Sequence, residues 1–233
     1  MFFKFPFIVL EGTDGSGKAV QTKLLADRLR KRKIPVKTID FPRYGQPSCY
    51  FVERYLRGAY GKKDKVDPYL ASLFYALDRW EAKDKIKKWR ESGFAVIANR
   101  YLVSNSAHQG AKIKKASERL EFYKWVFEFE YGRLGIPRPD VIFLFHLPAE
   151  ICFKFIGQKE KRKYLKGAKR DIHEKDLNYL KQVEKAYLQV ARLFPKDFRV
   201  IECLEGERVL SPEEISQKVW DLVARRFKKL SLR

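Results

Sequence analysis

Gly12-Thr13-Asp14-Gly15-Ser16-Gly17-Lys18 lies between an apolar run, Phe5 to Leu10, and a stretch from Gly17 to Lys33 with Leu24, Leu25 and Leu29 on one helical face. The spacing is G-x-x-x-x-G-K. Glycines placed this way let a tight turn present bare backbone N–H groups to a phosphate, and Lys18 is positioned to reach the outer phosphates of a bound nucleotide. Strand, glycine loop and helix in that order point to a parallel α/β sheet with a phosphate site beyond its first strand. One position departs from the motif. The residue after the lysine, where a Ser or Thr hydroxyl ordinarily holds magnesium, is Ala19, and Val20 follows it. A methyl group cannot ligate a cation that wants oxygen. The backbone amides do not depend on that side chain, so the phosphate cradle is expected to survive.

At 233 residues and 45% apolar content, the chain is long enough for one α/β domain with a buried core and short for two. A single domain over residues 1–233 is expected, without need of metals or disulfides. No window approaches eighteen uninterrupted apolar residues, so no membrane span is expected. The apolar start runs into Glu11 and the glycine loop with no small-residue cleavage site, and reads as the first strand. Cys49, Cys152 and Cys203 are isolated and odd in number, which fits a reduced cytoplasm. Lys and Arg number 50 against 29 Asp and Glu, a net charge of +21 that favours weak, nonspecific attraction to polyanions. The basic residues are spread over most helical stretches rather than gathered in one block, and there is no stacking platform or reading motif. A dedicated nucleic-acid function is therefore disfavoured.

Along the chain, β-rich runs alternate with helical patterns. The second strand is Val36 to Asp40, followed by Phe41-Pro42-Arg43-Tyr44-Gly45. A short helix is expected from about Pro47 to Leu56 and a long one from about Pro68 to Ser92. The third strand, Phe94 to Ala98, ends in Asn99-Arg100-Tyr101, and a polar stretch from Ser104 to Gly110 leads to a helix around Glu118 to Gly132. Asp140 to Phe145 is the fourth strand. A helix from Pro148, another at about His173 to Leu193, a strand Arg199 to Cys203 and a helix Pro212 to Phe227 complete the pattern. Five strands with helices between them make a doubly wound parallel sheet, and ligands collect beyond the carboxyl ends of such strands. Asp14, Arg43, Arg100 and Tyr101 lie at those ends. Arginine charge is costly to bury alone, so these residues read as a converging anion site or as partners of local carboxylates.

Tyr75 and Arg79 are four apart and share a helical face, an aromatic ring beside a guanidinium that suits a nucleobase. Leu70, Phe74, Leu77 and Trp80 show that the same helix also needs a core stripe. Lys159 to Arg170 is dense in Lys and Arg with a single Glu. As a solvated loop it repels itself; as a lid over about 158–172 it would neutralise transferring phosphoryl charge.

Taken together these segments resemble thymidylate kinase, and the resemblance covers most of the chain. Glu11 to Lys18 with Gln21 is similar to the family's phosphate loop, Phe41-Pro42-Arg43 to its acceptor segment, and Phe74 to Arg79 to its base-reading helix, with Tyr75 where the family usually has Phe. Asn99-Arg100-Tyr101 with Ser104, Asn105 and Gln109 resembles its Asp-Arg-Tyr segment, and Arg138-Pro139-Asp140 its entry to the fourth strand. The basic stretch and Asp171 to Glu174 resemble its lid. The resemblance implies a P-loop kinase fold, a homodimer, and phosphoryl transfer from ATP with Mg2+ to a pyrimidine monophosphate, dTMP foremost. It implies ATP binding by Gly12 to Lys18. Lys18, Arg100, Asp14, Arg162 and Arg170 would be catalytic. Asp14, Phe41, Arg43, Tyr75, Arg79, Arg100, Asn105 and His108 would bind the acceptor, with Arg100 on its phosphate, Asn105 at the thymine edge and His108 bordering the sugar. Asp14 and Glu174 would hold the metal through water or phosphates. Ala19 and Asn99 both remove oxygen functions near the metal, and leave open a nucleotide-binding protein on a kinase scaffold with little or no turnover.

Overall fold

Five short runs pair side by side, each parallel to its neighbour, in the spatial order β2-β3-β1-β4-β5. They are β1 (Phe7–Gly12), β2 (Val36–Asp40), β3 (Ala95–Asn99), β4 (Val141–His146) and β5 (Phe198–Glu202). The structure is a computed structural model and describes residues 5–62, 65–157 and 176–227. β1, β3 and β4 are buried along nearly their whole length, which is why they read as unbroken apolar runs rather than alternating ones. Successive residues of β1 point to opposite faces of the sheet. Phe7 and Val9 join one apolar layer, and Ile8 and Leu10 join the other.

Helices fill both faces. α1 (Lys18–Lys31) and α8 (Pro212–Arg226) cover the side of Ile8 and Leu10, contributing Leu25, Leu29, Val219 and Trp220. α3 (Pro68–Glu91), α4 (Leu102–Gly110), α5 (Ala116–Phe127) and α7 (Leu177–Leu193) cover the other. α2 (Tyr50–Leu56) packs on the start of α3, and α6 (Ala149–Gly157) lies against α7. Local chemistry fixes the helix starts. The Asp67 carboxylate accepts from the N–H groups of Tyr69 and Leu70 at 2.9 and 3.0 Å, with Pro68 in the first turn. Ser211 and Glu214 form a reciprocal capping box on α8.

Four features differ from the sequence reading. On α3, Leu70, Leu77 and Trp80, read as a core stripe, are exposed, and Ala71, Ala76, Ala82 and Ile86 face the core instead. Residues 102–110 form a helix, α4, rather than a connecting stretch. All but one of its nine residues are buried, and its polar residues Ser104, Asn105 and His108 face the cleft rather than open solvent, so the segment reads as a polar connection. The helix expected to run on to Gly132 changes at Glu128 into a π-helical turn, Glu128–Arg133. A small antiparallel hairpin, β6 (Leu204–Glu205) and β7 (Arg208–Val209), follows β5.

Candidate active site

The carboxyl end of β1 delivers the chain into the glycine loop. A Cβ on Gly12 would sit 2.6 Å from the Phe145 carbonyl oxygen, and one on Gly15 would strike the backbone of Cys152 in α6. Both glycines also have positive φ, 145° and 91°, so only glycine fits. Gly17 caps α1 with no side-chain hydrogen bond, which leaves the first-turn N–H groups facing outward for an anion. Thr13 and Ser16 are buried in the loop. The Lys18 ammonium folds over it, donating to the carbonyls of Gly12 and Thr13 at 2.8 and 2.7 Å. Ala19 and Val20 stand exposed at the mouth.

Beside the loop, at the end of β3, Arg100 adopts φ +67°, a conformation that side chains other than glycine rarely take. Its guanidinium donates to Asp14 at 2.6 Å, Ser104 Oγ at 2.9 Å and the Tyr187 hydroxyl at 3.1 Å. Burial works against its charge, and Asp14, Tyr187 and Glu11 more than offset this, so its pKa is held well above the ordinary arginine value. Glu11 underpins the arrangement. Its buried carboxylate accepts from the backbone N–H of Tyr101 at 2.7 Å and of Ser104 at 3.1 Å, from Ser104 Oγ and from the Tyr187 hydroxyl. It thereby caps α4 from another strand. Burial raises the Glu11 pKa, opposed by Ser104 and Arg100. His108 lies 3.5 Å from Arg100 through Nε2. Burial and the Arg100 charge push its pKa down to about 3, so the ring is neutral at physiological pH. Arg100 can only donate, and a neutral His108 therefore turns an acceptor Nε2 toward it.

The far side of the cleft is built on α3. Arg79 makes a two-pronged pair with Glu130, 2.5 Å from Nε and 2.6 Å from Nη2. Burial opposes the Arg79 charge, but Glu130 outweighs it and the pKa is raised. Asn105 donates to the same Glu130 at 3.1 Å and to the Ser72 carbonyl at 3.2 Å, while its buried Oδ1 has no hydrogen-bond partner among the described residues. The Arg43 Nε donates to Asp78 at 2.9 Å and Nη2 to Ser48 Oγ at 2.7 Å. Tyr75 is half-buried, edge-on to Tyr55 with ring centres 6.2 Å apart. Phe41 packs on Tyr101.

These pieces surround one open cleft of about 1320 Å³. Asp14, Gly15, Gly17 and Lys18 line one end, Arg100 and His108 the middle, and Phe41, Arg43, Tyr75, Arg79 and Asn105 the other. Gly12, Thr13 and Ser16 shape the loop without lining the cleft. The expected lid at 158–172, with Arg162 and Arg170, and Glu174 lie outside the described residues. Arg43, Arg79 and Arg100 all line the cleft, and each is paired with a carboxylate. Glu11, Asp78, Glu130 and Tyr187 were missed as site residues. Asp78 sits beside Arg79 in sequence, but nothing there ties it to Arg43, and Glu130 carries no motif.

The family model for thymidylate kinase matches residues 10–211. The chain belongs to the thymidylate kinase family. It is 30% identical over 187 residues to the thymidylate kinase of Mycobacterium tuberculosis, covering 79% of this chain and 85% of that one. It is also 30% identical over 229 residues to a probable thymidylate kinase of Pyrobaculum aerophilum, covering 95% and 99%. The fold resembles the solved thymidylate kinase of Candida albicans with a TM-score of 0.72 at 19% identity, over 95% of this chain and 92% of that one. The chain keeps the loop glycines and Lys18 but has Ala19 where the motif has a hydroxyl and Asn99 where it has a carboxylate. Among its described residues no three of His, Cys, Asp and Glu gather to hold a metal ion. The residues at the cleft mouth fit a divalent ion carried on nucleotide phosphates: the exposed Asp40 carboxylate lines the cleft and accepts from Asn99 Nδ2 at 2.8 Å, and the buried Asn99 Oδ1 has no hydrogen-bond partner among the described residues. Among the described residues no helix is long and apolar enough to cross a membrane.

Proposed function

We propose that this chain transfers the γ-phosphoryl group of ATP to a pyrimidine deoxynucleoside monophosphate, dTMP foremost, giving ADP and dTDP. The observation that carries this is the single cleft with a phosphate loop at one end and the Arg79–Glu130–Asn105 group at the other. The loop amides and Lys18 bind the donor phosphates. Arg100, held by Asp14, takes the acceptor phosphate and aims one of its oxygens at the γ-phosphorus. As that P–O bond forms, the bond from the γ-phosphorus to the β,γ-bridging oxygen breaks and ADP leaves. The reaction asks mainly for alignment and positive charge, which this chain has in Lys18 and Arg100. Magnesium riding on the ATP phosphates would neutralise part of their charge, and Asp14 and Glu174 are the candidate acceptors for its water shell. Arg162 and Arg170 are the candidate further cations.

At the acceptor end, Glu130 takes Nε and Nη2 of Arg79, and Nη1, which reaches the Tyr101 carbonyl at 3.5 Å, is the edge that would meet a base carbonyl. The Asn105 Oδ1, a buried acceptor seeking a donor, suits the N3–H of thymine. Tyr75 offers a ring for stacking, Arg43 a guanidinium edge, Phe41 an apolar wall, and neutral His108 a border for the sugar. We also propose a homodimer: Leu70, Leu77 and Trp80 of α3 and Phe51 of α2 are large apolar side chains left 42–49% exposed, and a second copy would cover them. Three buried, free cysteines fit a reducing cytoplasm.

The test is ADP release from ATP with magnesium and a panel of monophosphates. dTMP, and to a lesser degree dUMP, should stimulate turnover while AMP and GMP do not. Preference for a purine monophosphate would overturn the acceptor assignment. Tight ADP binding with no turnover on any acceptor would favour a binding protein on a kinase scaffold.

A further inference from the structure

We propose that Asp40, at the tip of β2, is the carboxylate that positions nucleotide-bound magnesium in this chain, in place of the hydroxyl absent at position 19 and the carboxylate absent at position 99. The proposal rests on the kinase reading above and deepens it.

Asp40 and Asn99 are direct partners in the register of two parallel strands. A carboxylate at the tip of β2 instead of β3 is displaced sideways by one strand spacing, about 4.8 Å. It stays at the mouth of the same cleft, which Ala19, Asp40 and Asn99 all line. The two side chains are locked together by Asn99 Nδ2 donating to Asp40 Oδ1 at 2.8 Å. An ionised carboxylate can only accept, so the amide has to turn Nδ2 toward Asp40 and Oδ1 away. That Oδ1 is buried and has no hydrogen-bond partner among the described residues. The pair thus puts a carboxylate, steadied by an amide, at the mouth of a cleft whose loop lysine is followed by a methyl group rather than a hydroxyl.

Charge adds a second argument. The chain carries a net +21, yet no Lys or Arg among the described residues pairs with Asp40. A carboxylate in a phosphate cleft repels the ligand unless a cation lies between them. Magnesium meets both demands, because it keeps several waters whose hydrogens need acceptors and is commonly held by one or two carboxylates together with phosphates. Packing does not explain the residue. Ile39 and Phe41 on either side enter the core, whereas Asp40 is exposed.

The experiment measures Mn2+ binding to the protein–ADP complex by electron paramagnetic resonance, alongside calorimetric binding of metal-free ADP and of dTMP. Three proteins are compared: wild type, Asp40→Asn, and the exchange variant Asp40→Asn with Asn99→Asp, which keeps one carboxylate and one amide with positions swapped. Asp40→Asn should weaken Mn2+ by about 10–100-fold, the usual effect of losing a group that supports a metal. Metal-free ADP and dTMP should bind as before. The exchange variant should recover most of the loss, which a merely structural Asp40 would not allow. Wild-type Mn2+ affinity in Asp40→Asn, or an exchange variant as weak as the single one, overturns the proposal and leaves the kinase reading standing. A wild type that binds no ADP overturns both.

Discussion

Each cleft arginine leans on one carboxylate, and all three partners come from distant segments. Arg79 and Glu130 are the most enclosed, with side chains 3% and 1% exposed, and together with Asn105 they form a closed polar group under the acceptor end. Removing one partner of such a pair strands the other charge, so Glu130→Gln should lower stability by about 3 kcal/mol. It should also weaken dTMP binding while sparing ADP. Denaturant melts and paired calorimetry would check both, and equal losses for the two nucleotides would make Glu130 purely structural. Ala19 invites the opposite kind of substitution. Ala19→Ser should raise turnover at low magnesium more than at saturating magnesium, because saturating metal offsets a weak site. Superimposed magnesium titrations of the two proteins would show that the hydroxyl has no role here. At this scale the sequence made Lys18, Arg43, Arg79 and Arg100 legible as cleft residues, because glycine spacing, arginines at strand ends and an aromatic four residues before an arginine on one helix are local signals. Their anchors were not legible, since Glu130 lies 51 residues from Arg79 and Glu11 lies 90 from the Tyr101 amide it accepts from. Only the fold brings them together.

Between elements, single side chains do much of the joining. Glu11 on β1 caps α4, and His146 at the end of β4 touches Glu184 of α7 at 3.1 Å and Glu202 of β5 at 2.7 Å. The hydrogen bond to Glu184 opposes the effect of burial and, with Glu202, raises the His146 pKa from 6.5 to about 9. A raised folded-state pKa means that the charged ring stabilises the fold fully below pH 6.5 and that this contribution is lost as pH rises through about 9. With Glu202 more than half exposed, the effect should be on the order of 1–3 kcal/mol after solvent screening. The difference in melting temperature between wild type and His146→Gln should therefore shrink from pH 6.5 to above 9. A constant difference would refute the linkage. The strands and the long helix α3 were readable from apolar runs and from Asp67-Pro68, whereas α4 was not. A helix buried on every side looks, in sequence, like a polar and small-residue connection when its polar residues are turned into a ligand cleft.

For the whole molecule, the sheet order places the phosphate loop of β1 between the tips of β3 and β4, and α3 brings the base-binding residues across to meet it. The doubly wound architecture followed from the alternation of strands and helices; the side-by-side order β2-β3-β1-β4-β5 did not, because pairing is set by contacts remote in sequence. The net charge of +21 should give retention on a polyanionic resin that falls steeply with salt. The central claim is that one cleft holds donor and acceptor together and passes a phosphoryl group between them. Incubation of the protein with γ-labelled ATP, magnesium and dTMP, followed by separation of the nucleotides, tests it most directly. The account predicts label in dTDP with an equal amount of ADP, and loss of that product in Arg100→Ala. Label released only as inorganic phosphate, or ADP bound with no label transferred, would contradict it.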